Sequence, residues 1–180
     1  MQRAVFLDRD DTLLVDSGYM SDADALELIP DAREALQRLR RAGLKLVLIS
    51  NQSGVARGLV TPEQVHAIEE RLYELLGYRL DGVEYCFHHP DEACACRKPE
   101  PGMLRGAARR LDIDLSRSVM VGDQESDVEA GNAAGCWTVR IGPADASSAA
   151  DCLAPDLAGA ADWILALGDR PKAAASAARR

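Results

Sequence analysis

The chain has no apolar run approaching the roughly 18 residues that a membrane span needs, no internal repeat, and no linker rich in Pro, Gly or Ser. A spanning helix, a repeat array and a string of flexibly joined domains are therefore not expected. The segment from Met1 reaches charge at Arg3 and Asp8, too early for the apolar core of a signal peptide. Positive charge is also scarce: Lys and Arg total 21 against 29 Asp and Glu, a formal net charge of −8. That balance argues against a nucleic-acid partner held by a broad basic face. Five cysteines are too few, and odd in number, for a secreted disulfide scaffold of 180 residues. The expected setting is the cytoplasm, with no membrane partner and the monomer as default.

What is present describes an ordinary globule, 47% hydrophobic and 28% charged. The length fits one domain, placed at residues 1–168, followed by an Ala-rich basic tail over 169–180 that is expected to fray. Short β-rich runs alternate with helical periods. Ala4–Leu7, Leu44–Ile49, Gly82–Phe87, Ser118–Gly122 and Trp137–Ile141 read as strands. Between them, helices are expected over 31–42, with Asp31 as N-cap, Glu34 in a capping box and Gly43 as the stop. Further helices are expected from Thr61 to Leu76, Pro101 to Leu111 and Glu125 to Ala134, with a last one at Trp163–Leu167. This rhythm predicts an α/β fold, a three-layer Rossmann-like parallel sheet with helices on both faces. The stretches 14–30 and 51–61 are too short for a large cap domain.

Asp fills 18 positions, so the Asp-x-Asp spacing, found at 8/10, 22/24 and 112/114, is close to its chance frequency. Position against the strands sorts the three pairs. In open α/β sheets ligands sit beyond the carboxyl ends of the strands. Asp8 and Asp10 follow the first strand, Ser50 and Asn51 follow the second, Arg97 and Lys98 follow the third, and Asp123 and Asp127 follow the fourth. Carboxylates gathered from several strand ends repel one another unless a cation lies among them. Mg²⁺, which favours one or two carboxylates plus waters and phosphate oxygens, fits that role.

A second cluster is Cys86-x-His88-x₅-Cys94-x-Cys96. Residues i and i+2 of an extended chain point to one side, so each pair can grip one ion. Three thiolates and an imidazole form a closed tetrahedral set suited to structural Zn²⁺. His89 stands one residue further from Cys86, which breaks the alternation, so His88 is the expected ligand. A small zinc-stabilised loop here would fix the segment that carries Arg97 and Lys98.

Asp8-Arg9-Asp10-Asp11-Thr12-Leu13, Ser50-Asn51-Gln52-Ser53-Gly54, Lys98-Pro99 and Gly122-Asp123-x-x-x-Asp127 together resemble the four motifs of the haloacid dehalogenase superfamily of phosphatases, in order and spacing over residues 4–142. The resemblance implies phosphomonoester hydrolysis through an aspartyl phosphate. It makes Asp8 the nucleophile and Asp10 the general acid and base. Mg²⁺ would be held by Asp8, Asp123 and the backbone carbonyl of Asp10, with Ser50 and Lys98 donating to the phosphoryl oxygens. Asp127 would orient Lys98 or metal-bound waters.

The metal knot narrows the resemblance to the branch of heptose-bisphosphate and histidinol-phosphate phosphatases. The stretches 16–19, 51–58 and 96–103 favour the sugar-bisphosphate side. By that similarity the partner is a phosphorylated small molecule, a sugar bisphosphate before other phosphates. Asp16, Ser17, Gly18, Tyr19, Asn51, Gln52, Ser53 and Arg97 would line its site, and Arg97 would hold the distal phosphate. Two departures bear on specificity. Asp11 stands where the branch usually has Gly, at a position where a positive φ is expected, and Gln124 stands where Lys is usual. A non-catalytic zinc-stabilised binding module is the reading of another class. The paired Asp8 and Asp10 speak against it.

Overall fold

The structure is a computed structural model and describes residues 1–15, 18–143 and 147–173. Six parallel strands form one sheet in the order β3-β2-β1-β4-β5-β6, namely β1 Ala4–Leu7, β2 Lys45–Asn51, β3 Gly82–Cys86, β4 Val119–Gly122, β5 Trp137–Ile141 and β6 Cys152–Ala154. The helices are α1 Ala32–Arg41, α2 Pro62–Leu76, α3 Gly102–Leu111, α4 Glu125–Ala134 and α5 Leu157–Leu167. Strand residues alternate between two cores, as a sheet covered on both faces requires. Val5, Leu7, Leu46, Leu48, Val119 and Val121 pack with residues of α1, α2 and α5. Ala4, Phe6, Val47, Ile49 and Met120 pack with residues of α3 and α4. Among the described residues there is no cap domain, and none of their helices is long and apolar enough to cross a membrane. The stretch 14–30 instead closes on itself through a Leu14–Leu28 bridge.

Topology locates the site. The chain winds from β1 outward to β3, then crosses back to place β4 on the other side of β1. The strand order reverses there, at the switch point where doubly wound sheets bind ligands. Leu7 pairs with Leu48 on one side and Val121 on the other, so Asp8, Ser50 and Asp123 emerge at one edge.

Several expected elements shift. β2 runs on to Asn51, so Ser50 and Asn51 belong to the strand itself. α5 starts at Leu157, six residues before the expected Trp163, behind an Asp156 side chain that accepts the Gly159 N–H at 2.7 Å. The three-residue β6 was not anticipated. Asp31 has φ 63° and makes no side-chain cap, so the capping box with Glu34 does not form. The Ala32 N–H donates to the Ile29 carbonyl at 3.1 Å, closing a turn over Pro30 and Asp31. Pro followed by a left-handed residue is the type II pattern, and it takes Asp31 out of capping geometry. The first residues of the expected tail are tied down. Trp137 Nε1 donates to the Arg170 carbonyl at 3.0 Å, and Lys172 Nζ reaches Asn132 Oδ1 at 2.7 Å and Asp151 Oδ2 at 2.5 Å. Residues 174–180 lie outside those described.

Candidate active site

Asp8 is buried at the end of β1, and its backbone N–H continues the ladder to the Val121 carbonyl at 2.9 Å. Lys98 is buried opposite it. Its Nζ lies 2.6 Å from Asp8 Oδ1, 2.6 Å from Asp127 Oδ1 and 3.0 Å from the Ile49 carbonyl. The contact with Asp127 Oδ1 is a close ion pair outside hydrogen-bond angles. Asp127 opens α4, where its other oxygen accepts the Gln124 N–H at 3.1 Å. Gly122 makes room for that carboxylate, because a Cβ there would stand 2.1 Å from Asp127 Oδ2.

Burial governs the electrostatics. It pushes the Asp8 carboxyl up to about 7 against the opposing pull of Lys98, with Asp127 and Asp10 adding to the rise. It also raises Asp123, and it raises Asp127 despite Lys98. For Lys98 burial alone would lower the ammonium, but Asp8 and Asp127 reverse this and hold it above its ordinary value. Carboxylate oxygens of Asp8, Asp123 and Asp127 all lie within 4.8 Å of one another. Carboxyl groups raised by burial and crowding are stabilised as anions by a bound divalent cation, and this donor set fits a hard one.

The surrounding residues order this centre. Asn51 uses its amide in both directions on the Lys98 backbone, accepting its N–H at 3.0 Å and donating to its carbonyl at 3.1 Å. Gln52 Nε2 donates to Asp10 Oδ2 at 3.0 Å and to Ser50 Oγ at 2.8 Å. Ser50 thus accepts from Gln52 and keeps its own O–H to donate. The structure gathers Gly18, Tyr19, Asn51, Gln52 and Ser53 around one cavity with Arg9, Asp10, Met20 and Gly54. Asn51 and Gln52, expected as substrate contacts, line this cavity and also direct their amides at Lys98, Asp10 and Ser50. Arg97 is half-buried with Nη1 enclosed and unpartnered, and it is not among those lining residues. Asp16 and Ser17 lie outside the described residues. Asp11 has the expected positive φ, 52°, and Gln124 turns its side chain onto Asp123 Oδ2. Arg9 was not anticipated.

The sulfur and imidazole cluster forms as expected, with all five cysteines free. Cys96 Sγ lies 3.1 Å from Cys86 Sγ and 3.6 Å from Cys94 Sγ, and Cys86 and Cys94 are 3.7 Å apart. His88 Nδ1 is 3.4 Å from Cys86 Sγ and 3.2 Å from Cys96 Sγ. Ligands bound at the usual Zn–S and Zn–N lengths would stand roughly 3.4–3.8 Å apart on a tetrahedron, so the four atoms fit such an ion with slight expansion. His89 turns elsewhere: its N–H donates to Glu92 Oε1 at 2.9 Å, and Nδ1 faces Asp91. The loop abuts α3, because a Cβ on Gly102 would stand 2.0 Å from the Ala95 carbonyl oxygen.

Comparison with known proteins decides the family. Residues 15–135 match the haloacid dehalogenase-like hydrolases. The chain belongs to that family. It is 43% identical to the D-glycero-β-D-manno-heptose-1,7-bisphosphate 7-phosphatase of Yersinia pestis, over 94% of each chain. It is 41% identical to the protein of the same name from Escherichia coli K12, over 94% of this chain and 92% of that one. Among solved structures it resembles the D,D-heptose 1,7-bisphosphate phosphatase of B. bronchiseptica complexed with magnesium and phosphate. That match has a TM-score of 0.80 and 34% identity, covering 92% of this chain and 99% of the other. A putative phosphatase of the same family from Mesorhizobium loti matches with a TM-score of 0.81 and 36% identity, over 92% and 86% of the two chains. The hydrolase is a phosphatase, and its parallel sheet is the frame that the family reading implied.

Proposed function

We propose that the enzyme removes the 7-phosphate of D-glycero-β-D-manno-heptose 1,7-bisphosphate through an aspartyl phosphate on Asp8. The observation that carries the chemistry is the buried Asp8 carboxylate held against Lys98 at 2.6 Å at the switch point of the sheet. The substrate assignment is supported by relatives of that name that match along nearly the whole chain.

In this reading Asp8 attacks phosphorus, the P–O bond to the sugar breaks, and Asp10 gives its proton to the departing alkoxide. Asp10 then takes a proton from the water that cleaves the aspartyl phosphate, which returns both carboxyls to their starting forms. Ser50 and Lys98 donate to the phosphoryl oxygens, with Lys98 fixed by Asp127 and the Asn51 clamp. Mg²⁺ held by Asp8, Asp123 and the Asp10 carbonyl would offset charge on the transferring group. Zn²⁺ bound by Cys86, His88, Cys94 and Cys96 would brace the loop that bears Arg97 and Lys98. The half-buried Arg97, next to Lys98, would take the distal phosphate, as the family resemblance implies.

Histidinol phosphate is the second reading. The exposed Asp11 carboxylate beside the site favours a substrate that carries a positive charge. Measuring kcat/KM for both heptose anomers and for histidinol phosphate decides between them. We expect the β-bisphosphate to lead by about tenfold or more. A lead for histidinol phosphate would overturn the substrate, and no turnover by metal-replete protein would favour a binding module.

A further inference from the structure

Arg9 is the largest of the fully buried side chains, at 2% exposure, and lies between the nucleophile and the proposed acid. A buried arginine is costly unless its charge is met by a well-placed partner. Its partner is Asp10: Arg9 Nε donates to Oδ1 at 2.8 Å and Nη2 to Oδ2 at 3.2 Å. This is a two-point fork, which fixes the plane of a carboxylate as well as its position. Gln52 adds a third donor at Oδ2, 3.0 Å away. Arg9 Nη1 has no hydrogen-bond partner, so no second acceptor among the described residues divides the guanidinium from Asp10.

A carboxyl that must deliver a proton to one oxygen and later collect one from water depends on its orientation. Asp10 is about a quarter exposed and stands on the loop after β1, where packing alone leaves its side chain free to turn. We propose that Arg9 is the positioning residue for acid-base catalysis, its fork holding Asp10 at the reacting bond while Gln52 ties the same carboxylate to Ser50. The substrate class bears on this: the role matters for phosphates of alkyl alcohols, whose alkoxides leave only with a proton. For aryl phosphates, whose phenolate leaves unaided, the first half-reaction needs no acid, and Asp10 is needed only for the hydrolysis of the aspartyl phosphate. The inference rests on Asp10 being the acid and base of the proposed hydrolysis.

The test compares Arg9→Lys, Arg9→Met and Asp10→Asn in the metal-loaded enzyme, each on the heptose bisphosphate and on 4-nitrophenyl phosphate. Arg9→Lys keeps a cation but cannot make the fork, and it carries the test if Arg9→Met does not fold. For Arg9→Lys we expect kcat on the sugar phosphate to fall at least about tenfold, part of the roughly 10²–10⁴ that acid-base catalysis supplies. KM should hold within about twofold, and the single-turnover release of 4-nitrophenolate, which precedes the hydrolysis step, should slow less than about threefold. In an Asp10→Asn background Arg9→Lys should have no further effect on the sugar phosphate. A single-turnover release of 4-nitrophenolate slowed as much as kcat on the sugar phosphate, a rise in KM with kcat intact, or full additivity with Asp10→Asn would overturn the role. If Asp10→Asn itself kept full turnover of the sugar phosphate, the assignment of Asp10 would fail, and the inference with it.

Discussion

Replacing Asp127 with Asn should weaken both the fold and the reaction. Lys98 is a buried cation whose side chain is 3% exposed, set between two carboxylates at 2.6 Å each. Asp127 meets two groups, the Lys98 ammonium as an ion pair at one oxygen and the Gln124 N–H as a donor at the other. Asn is neutral and supplies a single oxygen, so the ion pair is lost and either Lys98 or the Gln124 N–H would face an amide N–H. Breaking a buried ion pair by removing one partner costs roughly 3–5 kcal/mol, and the surviving Asp8 contact places this case at the lower end, about 3 kcal/mol. For a chain of this size each kcal/mol moves Tm by roughly 2–4 °C, so a drop of roughly 6–12 °C is expected. Thermal unfolding followed by circular dichroism on metal-loaded protein measures it, and kcat on the same samples should fall because Lys98 is no longer centred on Asp8. A Tm within about 2 °C of the parent, or an unchanged kcat, would refute the reasoning that Asp127 holds Lys98.

Three further outcomes follow from the same contacts. Asn51→Ala removes both hydrogen bonds to the Lys98 backbone; steady-state kinetics should show a fall in kcat larger than any rise in KM, and a pure KM effect would return Asn51 to substrate binding. Cys94→Ser should cost bound zinc and stability together. Elemental analysis should find about one zinc per parent chain, and none in protein purified without chelator would reject the ion. The Asp8 carboxyl is pushed up to about 7 by burial, so the metal-free native state binds a proton more readily than the unfolded chain. Its stability contribution should therefore decline as pH rises from about 4 through about 7. Melting curves should accordingly show a larger Tm gain from Mg²⁺ at pH 7.5 than at pH 5.5, and an equal gain at both would contradict it.

The cluster of carboxylates around Lys98 was legible because strand ends carry it. Asp8, Asp123 and Lys98 each stand just beyond an apolar run or a short Cys and His loop, and the crossover rule brings such positions together. The Cys and His cluster was legible from alternation alone, since i, i+2 pairs fix the side on which ligands point. Roles that depend on burial and direction were not. Arg9 reads as a charged neighbour of two acids, and only the packed loop turns its guanidinium inward onto Asp10. Asn51 and Gln52 read as polar residues facing a ligand, and only the packed structure shows their amides also meeting Lys98, Ser50 and Asp10. Asp31 carries the composition of a cap, and the Pro30 turn overrides it. β6, only three residues long, has too little pattern for a periodicity argument.

The central claim is that Asp8 becomes covalently phosphorylated during turnover. Quenching the working enzyme, reducing it with borohydride and mapping its peptides by mass spectrometry tests this directly, since reduction converts an aspartyl phosphate to homoserine. Homoserine at position 8, absent without substrate and absent in Asp8→Asn, is the predicted result. Turnover with no conversion at position 8, or with conversion at another acid, would contradict it.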